Sequence, residues 1–272
     1  MSGYDLWIKQ HLAAYKTNHL GVSEHGIWKR NGKPYAHILP EQLYKLNIIE
    51  TYRHEFWRYF AEQAVIKRHN DFHHLNSSQA MCFNLFYPFL VRTDLLADML
   101  GFPGETPVEY GFERILDPRE GTNFDFYTRL KTETHVLFEL KLSESGFGTT
   151  PADARHREKL VTLYYPRLVG KVSEAVLHPD TFFRYYQLLR NISYLKQDSP
   201  DRLFFIFPFR NSNLVKESST ILTTVTESLR NKIKIVHLET FVDKVLQKLD
   251  NQDPVFTAHY RLFKEKYIGD KQ

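Results

Sequence analysis

The chain has 272 residues, 42% hydrophobic and 15% aromatic, enough to bury a substantial core and to exclude a disordered or fibrous protein. A formal charge of +4 and a pI near 8.9 are compatible with a polyanionic partner but do not demand one. Cys82 is the one cysteine, which excludes a disulfide framework and a cysteine-based zinc site; with no signal-peptide stretch in MSGYDLWIKQ and no run of transmembrane length, the expectation is a cytoplasmic chain without a membrane partner.

In chain order, residues 4–16 suit a first helix, and the Gly-, His- and Lys-rich stretch 21–40, ending at Pro40, suits a loop or short hairpin. Residues 41–67 read as one longer helix, because Leu43, Leu46, Ile49, Tyr52, Phe56 and Phe60 recur at three- and four-residue steps. A further helix opens at Asn76-Ser77-Ser78, where a side chain can cap free N–H groups, and runs to about residue 100, with Pro88 as the expected break and Gly101 as the stop. Three strands follow, at 108–116, 124–130 and 135–142, joined by polar turns at 117–121 and 131–134. The stretch 143–180 reads as a long connection carrying one helix and a basic segment, Arg155-His156-Arg157-Glu158-Lys159. Residues 181–196 return to helix, 203–208 to strand, 215–230 to helix and 232–238 to a last strand. We divide the chain into a helical extension, 1–75, packed on a core, 76–272, as one compact unit.

Chemistry concentrates in the second hairpin. Strand side chains alternate between faces, so Glu139 and Lys141 share one face while Phe138, Leu140 and Leu142 take the other. Asp125 and Glu139 are equidistant from Thr132, so a turn centred there sets them opposite each other, with Cβ atoms roughly 4.5–5.5 Å apart. Two such carboxylates repel unless one is protonated or a cation lies between them. Magnesium suits that place, since it takes oxygen ligands and keeps several waters. Lys141 would then orient or deprotonate a water, or stabilise charge developing on phosphorus. Glu113 and Asp125 are equidistant from Arg119, which makes Glu113 a third acid unless the register slips by one residue. The bland alternative is a surface hairpin with an ordinary cross-strand ion pair.

Asp125, a gap, then Glu139-Leu140-Lys141 resembles the PD-(D/E)XK nuclease superfamily, also called restriction-endonuclease-like, with Phe124 where the superfamily places a proline. Residues 76–84 look like the opening helix of a little-characterised bacterial branch of it. The resemblance implies an α/β (α+β) fold with a central mixed β-sheet flanked by helices. It also implies a metal-dependent endonuclease, acting on DNA, that holds Mg2+ (Mn2+ able to substitute) with Asp125, Glu139 and Leu140. Asp125, Glu139, Lys141, Glu113 and Gln187 would be catalytic, Gln187 because several branches put a glutamine on the helix after the motif. Arg155, Arg157, Lys159 and Gln79 would contact nucleic acid, and a homodimer is left open. The competing expectation is a catalytically silent nucleic-acid-binding or assembly module of the same fold. A zinc hydrolase built on His69 and His73 lacks a third ligand, and with no Gly-rich phosphate loop the chain encodes no helicase or translocase.

Overall fold

The polar residues 131–134 reverse the chain between two apolar runs, and the sheet grows outward from that reversal. The computed structural model of the chain describes residues 3–121, 123–248 and 253–269. Helix α1 (Gly3–Asn18), a hairpin of β1 (Gly26–Trp28) and β2 (Lys33–Tyr35), two 3₁₀ turns (Glu41–Asn47 and Glu50–Tyr52) and α2 (Arg53–Glu62) precede α3 (Ser78–Val91) and α4 (Thr93–Met99). Strands β3 (Pro107–Ile115), β4 (Asn123–Leu130) and β5 (His135–Leu140) form a meander. Helix α5 (Ala154–Lys159) runs through a π-helical turn (Leu160–Tyr164) into α6 (Tyr165–Leu168), and α7 (Pro179–Arg184) and α8 (Tyr186–Ile192) lead to β6 (Arg202–Phe207). Next come α9 (Ser212–Thr224), α10 (Glu227–Arg230), β7 (Ile233–His237), α11 (Leu238–Lys248) and α12 (Pro254–Tyr267).

The larger sheet has the order β3-β4-β5-β6-β7, antiparallel through β5 and parallel from β5 to β7. Parallel neighbours cannot be joined by a tight turn, so the helices between β5 and β6, and between β6 and β7, serve as crossovers. The architecture is therefore mixed α/β, a five-stranded mixed sheet with helices on both faces and a helical N-terminal stretch. On one face Phe126, Phe138 and Phe204 pack with Phe86 of α3 and Phe241 of α11. The Phe86 and Phe126 rings stack with centroids 4.2 Å apart. On the other face Tyr127, Leu137 and Phe205 pack with Leu188, Leu189 and Ile192. Burying each such side chain is worth roughly 1.5–3 kcal/mol, so the sheet is clamped from both sides.

Three expectations fail, the first two for identifiable reasons. Residues 41–67 do not form one helix. The Asn47 carbonyl accepts instead from Lys266 at 2.6 Å and Asn84 at 2.9 Å, the Asn47 side chain donates to the Phe72 and His74 carbonyls, and Asn84 Oδ1 takes the Ile49 N–H. Pro88 does not break α3. A proline deprives the carbonyl four residues earlier of its donor, and that carbonyl, on Asn84, receives the His259 Nε2–H from α12 at 2.8 Å instead. The helix ends at Arg92, and α4 starts afresh. The connection 143–180 carries more helix than the single one expected.

Candidate active site

Glu139 lies near the end of β5 on the face that carries Leu137, turned toward α8. It is 1% exposed, so an ionised carboxylate there needs donors. Gln187 and Asn191 supply them, one helical turn apart on one side of α8. Gln187 Nε2 donates to Glu139 Oε1 at 2.5 Å, and Asn191 Nδ2 donates to Oε2 at 2.9 Å. Arg190 fixes Asn191 by donating from Nε and Nη2 to its Oδ1, and its guanidinium stands 3.7 Å from Glu139 Oε2. Gly148 (φ 125°) makes room for Gln187, since a Cβ there would fall 2.7 Å from Gln187 Oε1. Lys141, one step past β5, is anchored by its N–H on the Ile206 carbonyl and sets its ammonium 2.9 Å from Glu139 Oε1. Burial disfavours that ammonium, but Glu139, Glu144 and Asp125 together outweigh it and hold the Lys141 pKa above its ordinary value. Lys141 is thus placed as the cationic partner of Glu139.

Asp125 stands one step beyond the Phe126–Phe138 pair, level with Glu139, and its Oδ2 accepts the Leu140 N–H at 2.6 Å. The pairs Phe112–Phe126 and Arg114–Phe124 bracket Glu113 with Asp125. Glu113 has φ 54°, a left-handed conformation costing roughly 1–3 kcal/mol in a residue with a side chain. The face alternation breaks at this point: Phe126 packs in the core under α3, whereas Phe124, two residues earlier, packs in the core under α8. Glu113 accepts from Gln79 Nε2 at 2.9 Å and from Asn123 Nδ2. Burial first, then the charge of Glu139, pushes the Glu113 pKa up against the Gln79 hydrogen bond. For Asp125, burial first, then Glu139 and Glu113, pushes the carboxyl well above the usual range, with Lys141 and the Leu140 N–H opposing. The Cys82 thiol, whose Sγ donates to the Asp125 carbonyl at 3.5 Å, is raised by its burial and by the same three acids, which makes it inert.

Asp125 and Glu113 form part of the wall of an open cleft of about 390 Å³, with His69, Asp71, His74 and Gln79 on its α3 side and Ser143 and Glu144 beyond β5. Glu139 and Lys141 lie behind that wall. The structure therefore brings Asp125, Glu139, Lys141, Glu113, Gln187, Leu140 and Gln79 into one hydrogen-bonded and charged cluster. Gln79 is spent within it, donating to Lys67 and Glu113 and accepting from the His69 N–H. Arg155 and Arg157 are exposed on α5, whereas Lys159 donates to the Glu120 carbonyl at 2.7 Å. His69 stands just before the turn that holds His73, and His73 bonds the Ile27 carbonyl. Sequence reasoning missed Asn191, Arg190 and Asn123. For Asn191 a signal was present, since it lies four residues after Gln187.

Among the described residues no three His, Cys, Asp or Glu side chains stand together as a ready ligand set. The donors of Asp125 and Glu139 are nonetheless hard oxygens, and the two carboxylates stand level on neighbouring strands, where like charges repel unless a cation or a proton lies between them. Two carboxylates completed by water are what magnesium accepts, so the residues present fit that ion.

A family model described as Restriction Endonuclease associating with ARP matches residues 9–268. No curated protein and no solved structure matches the chain.

Proposed function

This chain belongs to the family of restriction endonucleases associating with ARP, and on that footing we propose that it hydrolyses phosphodiester bonds in DNA at the Asp125, Glu139 and Lys141 cluster. The observation that carries the reading is geometric: Asp125 and Glu139 stand level on neighbouring strands, with the Lys141 ammonium 2.9 Å from Glu139 Oε1 and Asp125 on the wall of the cleft. Asp125 and Glu139, with Leu140 between the motif's last two charges, would hold magnesium. When bound, the ion polarises the scissile phosphate and acidifies a water.

The chain's own groups divide the remaining work. Lys141, locked as an ammonium, offsets negative charge gathering on the phosphate, where a fixed cation in a partly dry site acts most strongly. Gln187 and Asn191 hold the Glu139 carboxylate in one orientation. Glu113, pinned by Gln79 and Asn123, keeps a second acid at the cleft wall. Arg155 and Arg157 lie on the helix whose His156 packs against Tyr186, next to Gln187 in sequence, and would take the DNA backbone, giving affinity without sequence preference.

One observation favours the silent binding module: both oxygens of Glu139 already hold hydrogen bonds. Plasmid nicking in magnesium or manganese separates the two readings. The expected result is cleavage by wild type, reduced at least about 100-fold in Lys141→Ala with DNA binding retained. Equal nicking by both proteins, or binding without nicking by wild type in either metal, would refute the catalytic reading.

A further inference from the structure

Beside the cleft, four aromatic rings close on one another edge to face. Trp28 meets Tyr35 (centroids 6.0 Å, 71°), Tyr35 meets His37 (5.8 Å, 66°), His37 meets His74 (6.5 Å, 84°) and His74 meets Trp28 (6.2 Å, 79°). They line a cavity of about 110 Å³ together with Lys9 and Asn76. The frame is stiff. Trp28 and Tyr35 sit on the paired strands β1 and β2, while His74 forms the bridge with Ile38 and His37 stands next to it, where the Leu75 N–H bonds the His37 carbonyl and the Leu39 N–H bonds the His73 carbonyl.

The cavity is also chemically unfinished. Trp28 Nε1 and Asn76 Oδ1 are buried with no hydrogen-bond partner, and so is His74 Nε2, which comes only within 3.6 Å of Asp71. Leaving a buried donor or acceptor unmade costs about 1–3 kcal/mol, so an indole donor and an amide acceptor that no protein group satisfies are open to a guest in one small cavity. Asn76 is held in place by donating its Nδ2–H to Ser143 Oγ at 2.8 Å. Asn76 and His74 line both this cavity and the cleft that carries Asp125. Burial holds the pKa of both His37 and His74 down at about 4, so these two walls are uncharged at neutral pH.

We propose that this aromatic box receives a single unpaired nucleobase from the DNA lying in the adjacent cleft. The proposal rests on the nuclease reading and deepens it: the substrate becomes DNA with one base drawn out of the stack. A flat heterocycle carries donors and acceptors on one edge, which matches an indole N–H and an amide oxygen, and its faces stack on aromatic walls. The cavity has room for one such ring and none for its phosphate, which stays in the cleft. A methylated ammonium, the other common guest of aromatic cages, suits it less well. It has no acceptor for the Trp28 N–H, and the Lys9 ammonium already lines the cavity.

The test uses the full chain as Lys141→Ala, so that DNA is held uncut, with a short matched duplex and the same duplex carrying one mismatched pair, whose base costs less to draw out of the stack. Binding is expected to be several-fold tighter to the mismatched duplex. Adding Trp28→Ala should abolish that preference with duplex still bound, and Trp28→Phe, which keeps a ring and deletes the N–H, should give an intermediate preference at an unchanged melting temperature. Equal affinity for the two duplexes, or a preference that survives Trp28→Ala, overturns the box and leaves the nuclease reading standing. Failure of wild type to bind any DNA overturns both. Quenching of tryptophan emission by tetramethylammonium, lost in Trp28→Ala, together with no mismatch preference, assigns the box to an ammonium guest and overturns the proposal.

Discussion

On β5 and α8, Glu139 is enclosed by an ammonium, a guanidinium and two side-chain amides; on β3 and β4, one strand away, Glu113 and Asp125 face a solvent cleft with far less compensation. The same residue type thus serves two ends. The enclosed half sets geometry, because both of its oxygens accept hydrogen bonds from α8. The open half pushes Asp125 and Glu113 up through burial first and then through the charge of neighbouring carboxylates, and that second part stores a demand for positive charge. Position and reactivity are divided between neighbours rather than asked of one carboxylate.

The largest effect that would sharpen this contrast is Asn191→Ala. It strips Glu139 Oε2 of its closest donor and Arg190 of its acceptor, all in a dry setting. A loss of about 3 kcal/mol is expected, since hydrogen bonds to charged groups are worth roughly 1.5–3 kcal/mol. Urea unfolding measures it, and a loss below about 1 kcal/mol would mean that the enclosed half is not tightly committed.

Next in size is the response of the open half to pH and metal. The folded pKa values of Asp125 and Glu113 are raised, so the folded state holds protons that the unfolded chain has released above about pH 4. Their contribution is favourable below that pH and is lost as pH rises through the folded values. Asp125→Asn in chelator should therefore melt above wild type at pH 7, with the gap closing as pH falls toward about 4. Magnesium at a hundredfold excess over its dissociation constant should stabilise wild type at pH 7 by about 2.7 kcal/mol and Asp125→Asn much less. Thermal melts across pH, with and without metal, check both; a wild type blind to metal would remove the stored demand.

The smallest effect is Asn123→Ala. Asn123 is half-buried and donates to Glu113, which keeps Gln79 as a second donor. A change under about 1 kcal/mol is expected. A loss matching that of Asn191→Ala would erase the distinction between the two halves.

The sequence showed the hairpin and its register because the turn at 131–134 is short, which leaves little freedom over what faces what. Phe126 pairs with Phe138, and Glu113 falls level with Asp125, as spacing required. The twist at that level was not legible. Strict alternation cannot foresee a left-handed glutamate, nor that Phe124 and Phe126 would enter opposite cores. The donors around Glu139 were half legible: Gln187 was named through a resemblance, whereas Asn191, Arg190 and their shared helix face depended on how α8 crosses the sheet. The extended helix at 41–67 failed for a similar reason, since the backbone there bonds to Lys266 and Asn84, remote in sequence.

That failure points to a consequence for how the molecule is made. Helix α3 is apolar almost throughout, with every residue from Ala80 to Phe89 buried. Its Asn84 carbonyl, left without a helical donor by Pro88, is closed by His259, its Leu85 carbonyl by the Tyr260 hydroxyl and its Asn84 amide by the Tyr267 hydroxyl, all on α12. These contacts span 175 to 183 positions of chain, and such distant closures slow folding because loop entropy is lost before any contact forms. On a translating ribosome, α3 emerges long before its cover does, leaving a greasy, half-bonded helix in need of shelter. Because α3 also carries Gln79 and Cys82, which touch Glu113 and Asp125, the acidic cleft reaches its final shape only once α12 has docked, so a nascent chain carries the charges of the site before it carries its geometry.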